Sequence, residues 1–228
     1  MGYAWYTKMR LELDKQLTRL HVELIKMGSL CEKAISLSAK LLTKKSDAMM
    51  QEVFGVDAEI DAKEKELESF CMMLLLKQQP VAKDFREVSA ALKMVSDLER
   101  IGDQAADIAD LSRHIKGETV HGMLHIDDMA AAAVKMVTES VDAFVKGNLL
   151  VARKVIEDDD IVDGLFNCVR GELIKMIQEK KIEAETAVDL LMAAKYLERI
   201  GDHAVNLAEW VEYSITGERK NNEHHPNM

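Results

Sequence analysis

The sequence LERIGD occurs twice in this chain, at residues 98–103 and again at residues 197–202. A motif that returns after about one hundred residues indicates an internal duplication. At about 3.6 residues per turn, the Glu and the Asp of each copy lie one turn apart on the same helix face. Apolar residues share this face, so each copy places carboxylates in or beside the stripe that the helix buries. The chain must therefore adopt a duplicated helical fold that neutralises these acids.

Apolar residues recur in steps of three and four along most of the chain, which predicts long amphipathic helices. The runs cover residues of about 14–44, 47–79 and 84–116 in the first half, and about 130–146, 155–176 and 183–217 in the second. Only two prolines interrupt the chain, and both lie where a helix can end. We therefore predict an all-α protein of two tandem three-helix bundles, at residues 1–117 and 127–218, with a connector at 118–126 and a polar tail at 219–228.

Further carboxylates extend the repeated motif in both halves. The first half carries Asp57, Asp61, Glu64 and Glu68 on its second helix and Glu99, Asp103, Asp107 and Asp110 on its third; the second half repeats these rows with Asp159 and Asp163 and with Glu198, Asp202, Asn206 and Glu209. Because each row adjoins an apolar face, the two rows of one bundle can face each other. Like charges one turn apart destabilise a helix by about 0.2–0.5 kcal/mol even when exposed. The sequence shows no matching row of basic residues, so a bound cation is the simplest way to neutralise the acids.

The chemistry of such a site is open to more than one interpretation. Ligands that are all oxygen suit magnesium, calcium or manganese, and carboxylate clusters also hold iron or zinc. Catalytic di-iron bundles pair Glu-x-x-His motifs on facing helices, and neither copy of LERIGD carries one, so we do not expect an enzyme. A metal-dependent helical-bundle enzyme or a metal-storage protein is the alternative that uses the same carboxylates. A scaffold that binds no metal is a third interpretation, and His203 is expected to be a surface or edge residue.

Charge and composition narrow the possible partners and the compartment. A net charge of −10 disfavours non-specific binding to nucleic acid or anionic lipid and suits cations or basic protein surfaces. No run of about 18 apolar residues is present, so we expect no membrane-spanning helix. The three cysteines form no Cys-x-x-Cys pair, which favours reduced thiols. We therefore expect a cytoplasmic protein.

The doubled LERIGD motif, on the third helix of two tandem units, resembles the PhoU family of bacterial phosphate-uptake regulators. The resemblance covers residues of about 13–218 and includes the second-helix acids and the KQQP turn at residues 77–80. It implies an all-helical cytoplasmic regulator, often a homodimer. Such a protein would act as an adaptor between the ATPase subunit of the phosphate ABC transporter and the phosphate-sensing histidine kinase. It would repress the starvation response when phosphate is plentiful and would reach the inner face of the membrane only through these partners.

The resemblance also implies metal clusters built from the two acidic motifs. Carried over residue by residue, the first cluster consists of Asp57, Asp61, Glu99, Asp103 and Asp107, and the second cluster consists of Asp159, Asp163, Glu198, Asp202 and Asn206. Asn206 supplies a neutral carbonyl where Asp107 supplies a charge. We therefore expect weaker or fewer metal ions in the second cluster, with iron, zinc, magnesium, manganese and calcium all open as the metal.

Overall fold

The computed structural model describes residues 2–78, 80–115 and 125–218, with side chains from residue 9 onward. The six helices are α1 (Gly2–Thr43), α2 (Asp47–Gln78), α3 (Lys83–Leu111), α4 (Ile126–Lys146), α5 (Leu149–Gln178) and α6 (Ala184–Thr216). These residues contain no β-strand. The prediction of an all-α fold with three helices in each half is therefore confirmed.

Most helix ends lie close to the predicted positions, and local capping explains why. The Ser46 hydroxyl oxygen accepts a hydrogen bond from the Met49 backbone N–H at 3.2 Å, which caps the start of α2. In the second half, Gly147 takes a φ of +61° and terminates α4. At the other end of the second half, Gly217 takes a φ of +80° and terminates α6.

Three helix ends differ from the prediction by five residues or more. Helix α5 begins at Leu149 instead of near residue 155, where the Asn148 side chain accepts a hydrogen bond from Leu150 N–H. Helix α1 begins at Gly2 instead of near residue 14, and α3 ends at Leu111 instead of near residue 116. The backbone tightens after α3, where His114 N–H donates to the Leu111 carbonyl at 3.0 Å and the Ser112 hydroxyl donates to Ala109 at 2.6 Å. Residues 118–124 of the predicted connector and the predicted tail at 219–228 lie outside the described residues.

The two bundles share one interior. Helix α3 packs against α6 and α1 packs against α4, and a single core cluster contains residues from all six helices. The α3 and α6 helices bury many alanines, whose short side chains let helix axes approach closely. The fully buried alanines are Ala90, Ala91, Ala105, Ala109, Ala193, Ala194, Ala204 and Ala208. In the described part of the chain, no helix is long and apolar enough to cross a membrane.

Candidate metal centre

Helices α2 and α3 bring three carboxylates of the first cluster together. Asp57 and Asp61 project from α2 and Asp103 from α3, and one oxygen of each lies within 4.8 Å of the others. Asp57 and Asp61 are partly buried, whereas Asp103 is exposed at the edge of the cluster. Such a spacing allows one cation to contact all three side chains, as hard divalent ions do in oxygen-rich sites.

The glycine of the first LERIGD motif determines how closely the two helices approach. A Cβ atom on Gly102 would stand 2.9 Å from Ile60 Cδ1 and 3.3 Å from Asp57 Oδ1. Asp57 Oδ1 is buried and has no hydrogen-bond partner among the described residues. A buried acceptor without a donor is unfavourable, and an ion seated between α2 and α3 would supply the missing partner.

Burial, together with the proximity of like charges, raises the pKa values of the carboxylates in the first cluster. Burial, followed by the charges of Asp103 and Asp61, raises the pKa of Asp57 to about 6. Burial, followed by Asp103 and Glu64, raises the pKa of Glu99 to about 7. The pKa values of Asp103 and Asp107 are also raised, with burial as the main cause. These carboxylates are therefore destabilised in their charged form, which a cation would reverse.

The donor set fits a divalent metal ion. It offers three convergent carboxylates, one of them with an orphaned buried oxygen, and it supplies excess negative charge that Arg100 and Arg199 offset only in part. Bound there, a metal ion would supply positive charge and tie α2 to α3. Glu99 and Asp107 lie outside the group of three, and their role as ligands stays a prediction.

Asp107 has a partner from the other half of the chain. Its carboxylate accepts a hydrogen bond from the Tyr196 hydroxyl on α6, which lowers the Asp107 pKa against the larger effect of burial. The reciprocal contact is made by Asn206, whose Nδ2 donates to Asp97 Oδ1 on α3 at 3.3 Å. By register with the motifs, Tyr196 repeats the position of Asp97, and Asn206 repeats that of Asp107. The duplication therefore relates these two contacts across the α3–α6 interface.

The second cluster repeats the arrangement between α5 and α6 with differences. A Cβ atom on Gly201 would stand 3.4 Å from Asp159 Oδ1. Burial, followed by the charges of Asp202 and Asp163, raises the pKa of Asp159 to about 7. The described residues nevertheless contain no second group of three carboxylates as close as the first. The proposed ligand roles in this cluster stay predictions.

Two residues of the second cluster already have protein partners. The Lys195 ammonium forms an ion pair with the Glu198 carboxylate, and the Asn206 amide donates to Asp97. Sequence reasoning found no basic row and missed Lys195, although its position three residues before Glu198 is a normal spacing for a helical ion pair.

His203 lies in the interface between the halves and not on an open surface. Its Nδ1 is 3.0 Å from Asp97 Oδ1, and its side chain is 15% exposed. Asp97 itself is 7% exposed. The prediction of a surface or edge position for His203 did not include this contact, because sequence periodicity within α6 does not reveal that α3 covers it.

The fold and the site together define a class of protein: a duplicated six-helix protein with a carboxylate cluster between the second and third helices of its first repeat. A family profile described as "PhoU domain" matches residues 24–112 and 126–211. The chain belongs to the PhoU family.

Individual relatives agree with this assignment over nearly the whole chain. A protein of Clostridium acetobutylicum named "Phosphate-specific transport system accessory protein PhoU homolog" is 38% identical, over 90% of this chain and 95% of the relative. A protein of the same name from Pseudomonas aeruginosa is 31% identical, over 90% of this chain and 86% of the relative.

Solved structures show the same architecture. The crystal structure of PhoU from Pseudomonas aeruginosa superposes with a TM-score of 0.83 at 31% identity, covering 90% of this chain and 99% of that one. A phosphate transport system regulatory protein PhoU from Streptococcus pneumoniae superposes with a TM-score of 0.80 at 24% identity, covering 91% of this chain and 98% of that one. At 24% identity, the second likeness shows only that the fold is shared.

Proposed function

We propose that this chain is an accessory regulator of phosphate-specific transport whose helical surface is stabilised by metal ions at the acidic clusters. The regulatory part rests on the relatives, which carry the name of a phosphate-specific transport accessory protein and align over 90% of this chain. The metal-binding part rests on the three carboxylates Asp57, Asp61 and Asp103, whose oxygens lie within 4.8 Å of one another.

The described first cluster favours a hard cation. The three close ligands are all carboxylates, and the group contains no histidine or cysteine. Such a set suits magnesium, manganese or calcium, and it also accepts iron or zinc. Asp57 supplies the buried oxygen that lacks a protein donor, while Asp103 supplies an oxygen from the exposed edge of the cluster.

The proposed mode of action is that of an adaptor in the cytoplasm. One partner would be the ATPase subunit of the phosphate ABC transporter and the other the phosphate-sensing histidine kinase, with repression of the starvation response when phosphate is plentiful. The net charge of −10 suits basic partner surfaces over anionic lipid. Contact with the membrane would be made through these partners, and a homodimer is the proposed assembly.

A reporter driven by a phosphate-starvation promoter tests the regulatory role. In a host strain that lacks this chain, we expect the reporter to be active even in phosphate-rich medium, and the unaltered chain to silence it. Silencing by the intact chain that depends on phosphate supports the proposal. A deletion strain that stays silent in rich medium contradicts it.

Paired variants test whether the metal cluster takes part. We expect Asp57→Asn with Asp103→Asn to reduce silencing, at an equal level of folded protein. The matched control is Asp142→Asn, since Asp142 is 49% exposed and pairs with Lys146 in α4, away from both clusters. Full silencing by the double variant would separate regulation from metal binding and remove the metal from the proposal.

A further inference from the structure

The two clusters differ in charge around the glutamate of the LERIGD motif, which is Glu99 in the first cluster and Glu198 in the second. On the third helix, Ser96 stands three residues before Glu99 in the first repeat, and Lys195 stands three residues before Glu198 in the second. On the second helix, Glu64 of the first repeat corresponds to Phe166 of the second. Glu99 therefore has the acidic Glu64 as a neighbour. Glu198 instead has the Phe166 ring and the Lys195 ammonium group as neighbours.

Direct contacts join the residues at this end of the second cluster. The Lys195 ammonium forms an ion pair with Glu198, whose side chain is only 14% exposed. The same ammonium lies 5.7 Å from the centre of the Phe166 ring, a distance at which an aromatic face attracts a cation. The lysine is thus held against the cluster from two sides.

The corresponding end of the first cluster carries an excess of negative charge, which Arg100 and Lys65 offset only in part. Glu64 adds to the negative field at Glu99 and helps to raise its pKa, and burial and Glu68 in turn raise the pKa of Glu64. Ser96 carries no charge to offset these acids. Arg100 lowers the pKa of Glu99 by less than burial and the neighbouring acids raise it. A cation from solution can therefore add counter-charge at Glu99, whereas Glu198 already pairs with Lys195.

We propose that Lys195 is a built-in counter-ion of the second cluster, which occupies the place beside Glu198 that a metal ion would occupy beside Glu99. The inference rests on the proposed metal binding. It explains why a metal ion would bind the first repeat more tightly than the second. A divalent ion can enter the second cluster only against the repulsion of this ammonium or by displacing it. Because Lys195 is 46% exposed, the displacement is feasible and the second cluster becomes a weaker site instead of a closed one.

Calorimetric titration of the full chain with Mn²⁺ tests the proposal. Asp61→Asn with Asp103→Asn disables the first cluster, so that the heat reports on the second. In that background we expect Lys195→Ser to tighten Mn²⁺ binding at least about fivefold, since a positive charge beside the ion is removed. The matched control is Lys181→Ser, because Lys181 is 54% exposed and pairs with Glu179 in the turn before α6. It makes the same change in net charge and should leave the affinity unchanged.

If the first set of variants does not fold, the reciprocal substitution beside the first cluster tests the same proposal. With the second cluster disabled by Asp163→Asn and Asp202→Asn, Ser96→Lys should weaken Mn²⁺ binding to the first cluster by a similar factor. Metal binding that is unaffected by Lys195→Ser or by Ser96→Lys overturns the role of the lysine and leaves the proposed metal function standing. An unaltered chain that binds no Mn²⁺ overturns both.

Discussion

A Cβ atom on Gly102 of α3 would stand 3.3 Å from Asp57 Oδ1 of α2, so the glycine leaves the room in which this carboxylate approaches α3. The glycine lets α2 lie against α3, and Asp103, the next residue, then joins Asp57 and Asp61 in one cluster. The Gly-Asp pair of LERIGD thus serves one cluster: the glycine allows the approach of α2, and the aspartate supplies a carboxylate. Gly201 and Asp159 repeat the relationship at 3.4 Å.

Alanine at the two glycines should have different effects on stability. Alanine favours a helix over glycine by about 0.8–1 kcal/mol at either position. At Gly102 the added methyl group would lie 2.9 Å from Ile60 Cδ1, whereas at Gly201 the closest contact is an ordinary 3.4 Å. We expect Gly201→Ala to be stabilising, and Gly102→Ala to be about 1–2 kcal/mol less stable than Gly201→Ala. Urea unfolding measures both, and equal gains would contradict the close contact.

The metal-free protein should become less stable as the pH rises from about 4 to 7. The folded state raises the pKa of Asp57 from 3.8 to about 6 and that of Glu99 from 4.5 to about 7. In this window the folded state binds more protons than the unfolded state, so stability falls with rising pH. Glu23, whose pKa Lys26 and Lys63 lower to about 2, changes stability only below about pH 4.5.

Thermal unfolding of dialysed, metal-free protein at about pH 5.5 and pH 8 measures this effect. We expect the higher Tm at the lower pH. Added Mn²⁺ should reverse the order, because metal ligands must be deprotonated. A metal-free protein with its higher Tm at pH 8 would show that the carboxylates are not strained by one another's charge.

Asp57→Asn should stabilise the metal-free protein and strongly reduce its response to metal. The amide keeps the shape of the side chain and removes a partly buried charge, which we expect to add about 1 kcal/mol at neutral pH after allowance for solvent screening. In the unaltered chain, a metal at about one hundred times its Kd should add about 2.7 kcal/mol. Melting with and without Mn²⁺ measures both quantities. A variant that responds to Mn²⁺ as fully as the unaltered chain would remove Asp57 from the site.

Asn206→Asp should destabilise the protein, although it restores the acid found at Asp107. The Asn206 amide donates to Asp97 Oδ1 at 3.3 Å, and a carboxylate there would face the buried Asp97 instead. We expect a loss of about 1–2 kcal/mol in urea unfolding. The control is Asn167→Asp, since Asn167 is exposed and its amide bonds only to the backbone carbonyl of Asp163 in its own helix, at 2.9 Å. An unchanged free energy of unfolding in Asn206→Asp would show that Asn206 does not contact Asp97.

Periodicity and duplication predicted the helices and the acidic rows, because both are properties of single helices. The pairing of Asp57 and Asp61 with Asp103 followed from two acidic rows beside apolar faces, and the described structure contains that group. The extension of α1 back to Gly2 was not predicted, since Lys8, Arg10 and Glu12 lie between the apolar residues of this segment.

The interface between the halves was not predictable from such patterns. Asp97 and His203 meet because α3 lies against α6, and the periodicity of one helix does not identify its partner. The same holds for Tyr196 and Asp107, which are joined only through the α3–α6 contact. Lys195 differs, because its pairing with Glu198 is local to α6 and was visible in the sequence.

Anomalous scattering from crystals grown with Mn²⁺ tests the central claim most directly. We expect a manganese peak between α2 and α3, within about 2.0–2.6 Å of carboxylate oxygens from Asp57, Asp61 and Asp103. The peak should disappear in Asp57→Asn with Asp103→Asn and persist in Asp142→Asn. Ordered carboxylates at these positions with no peak between them, at saturating Mn²⁺, would contradict the account.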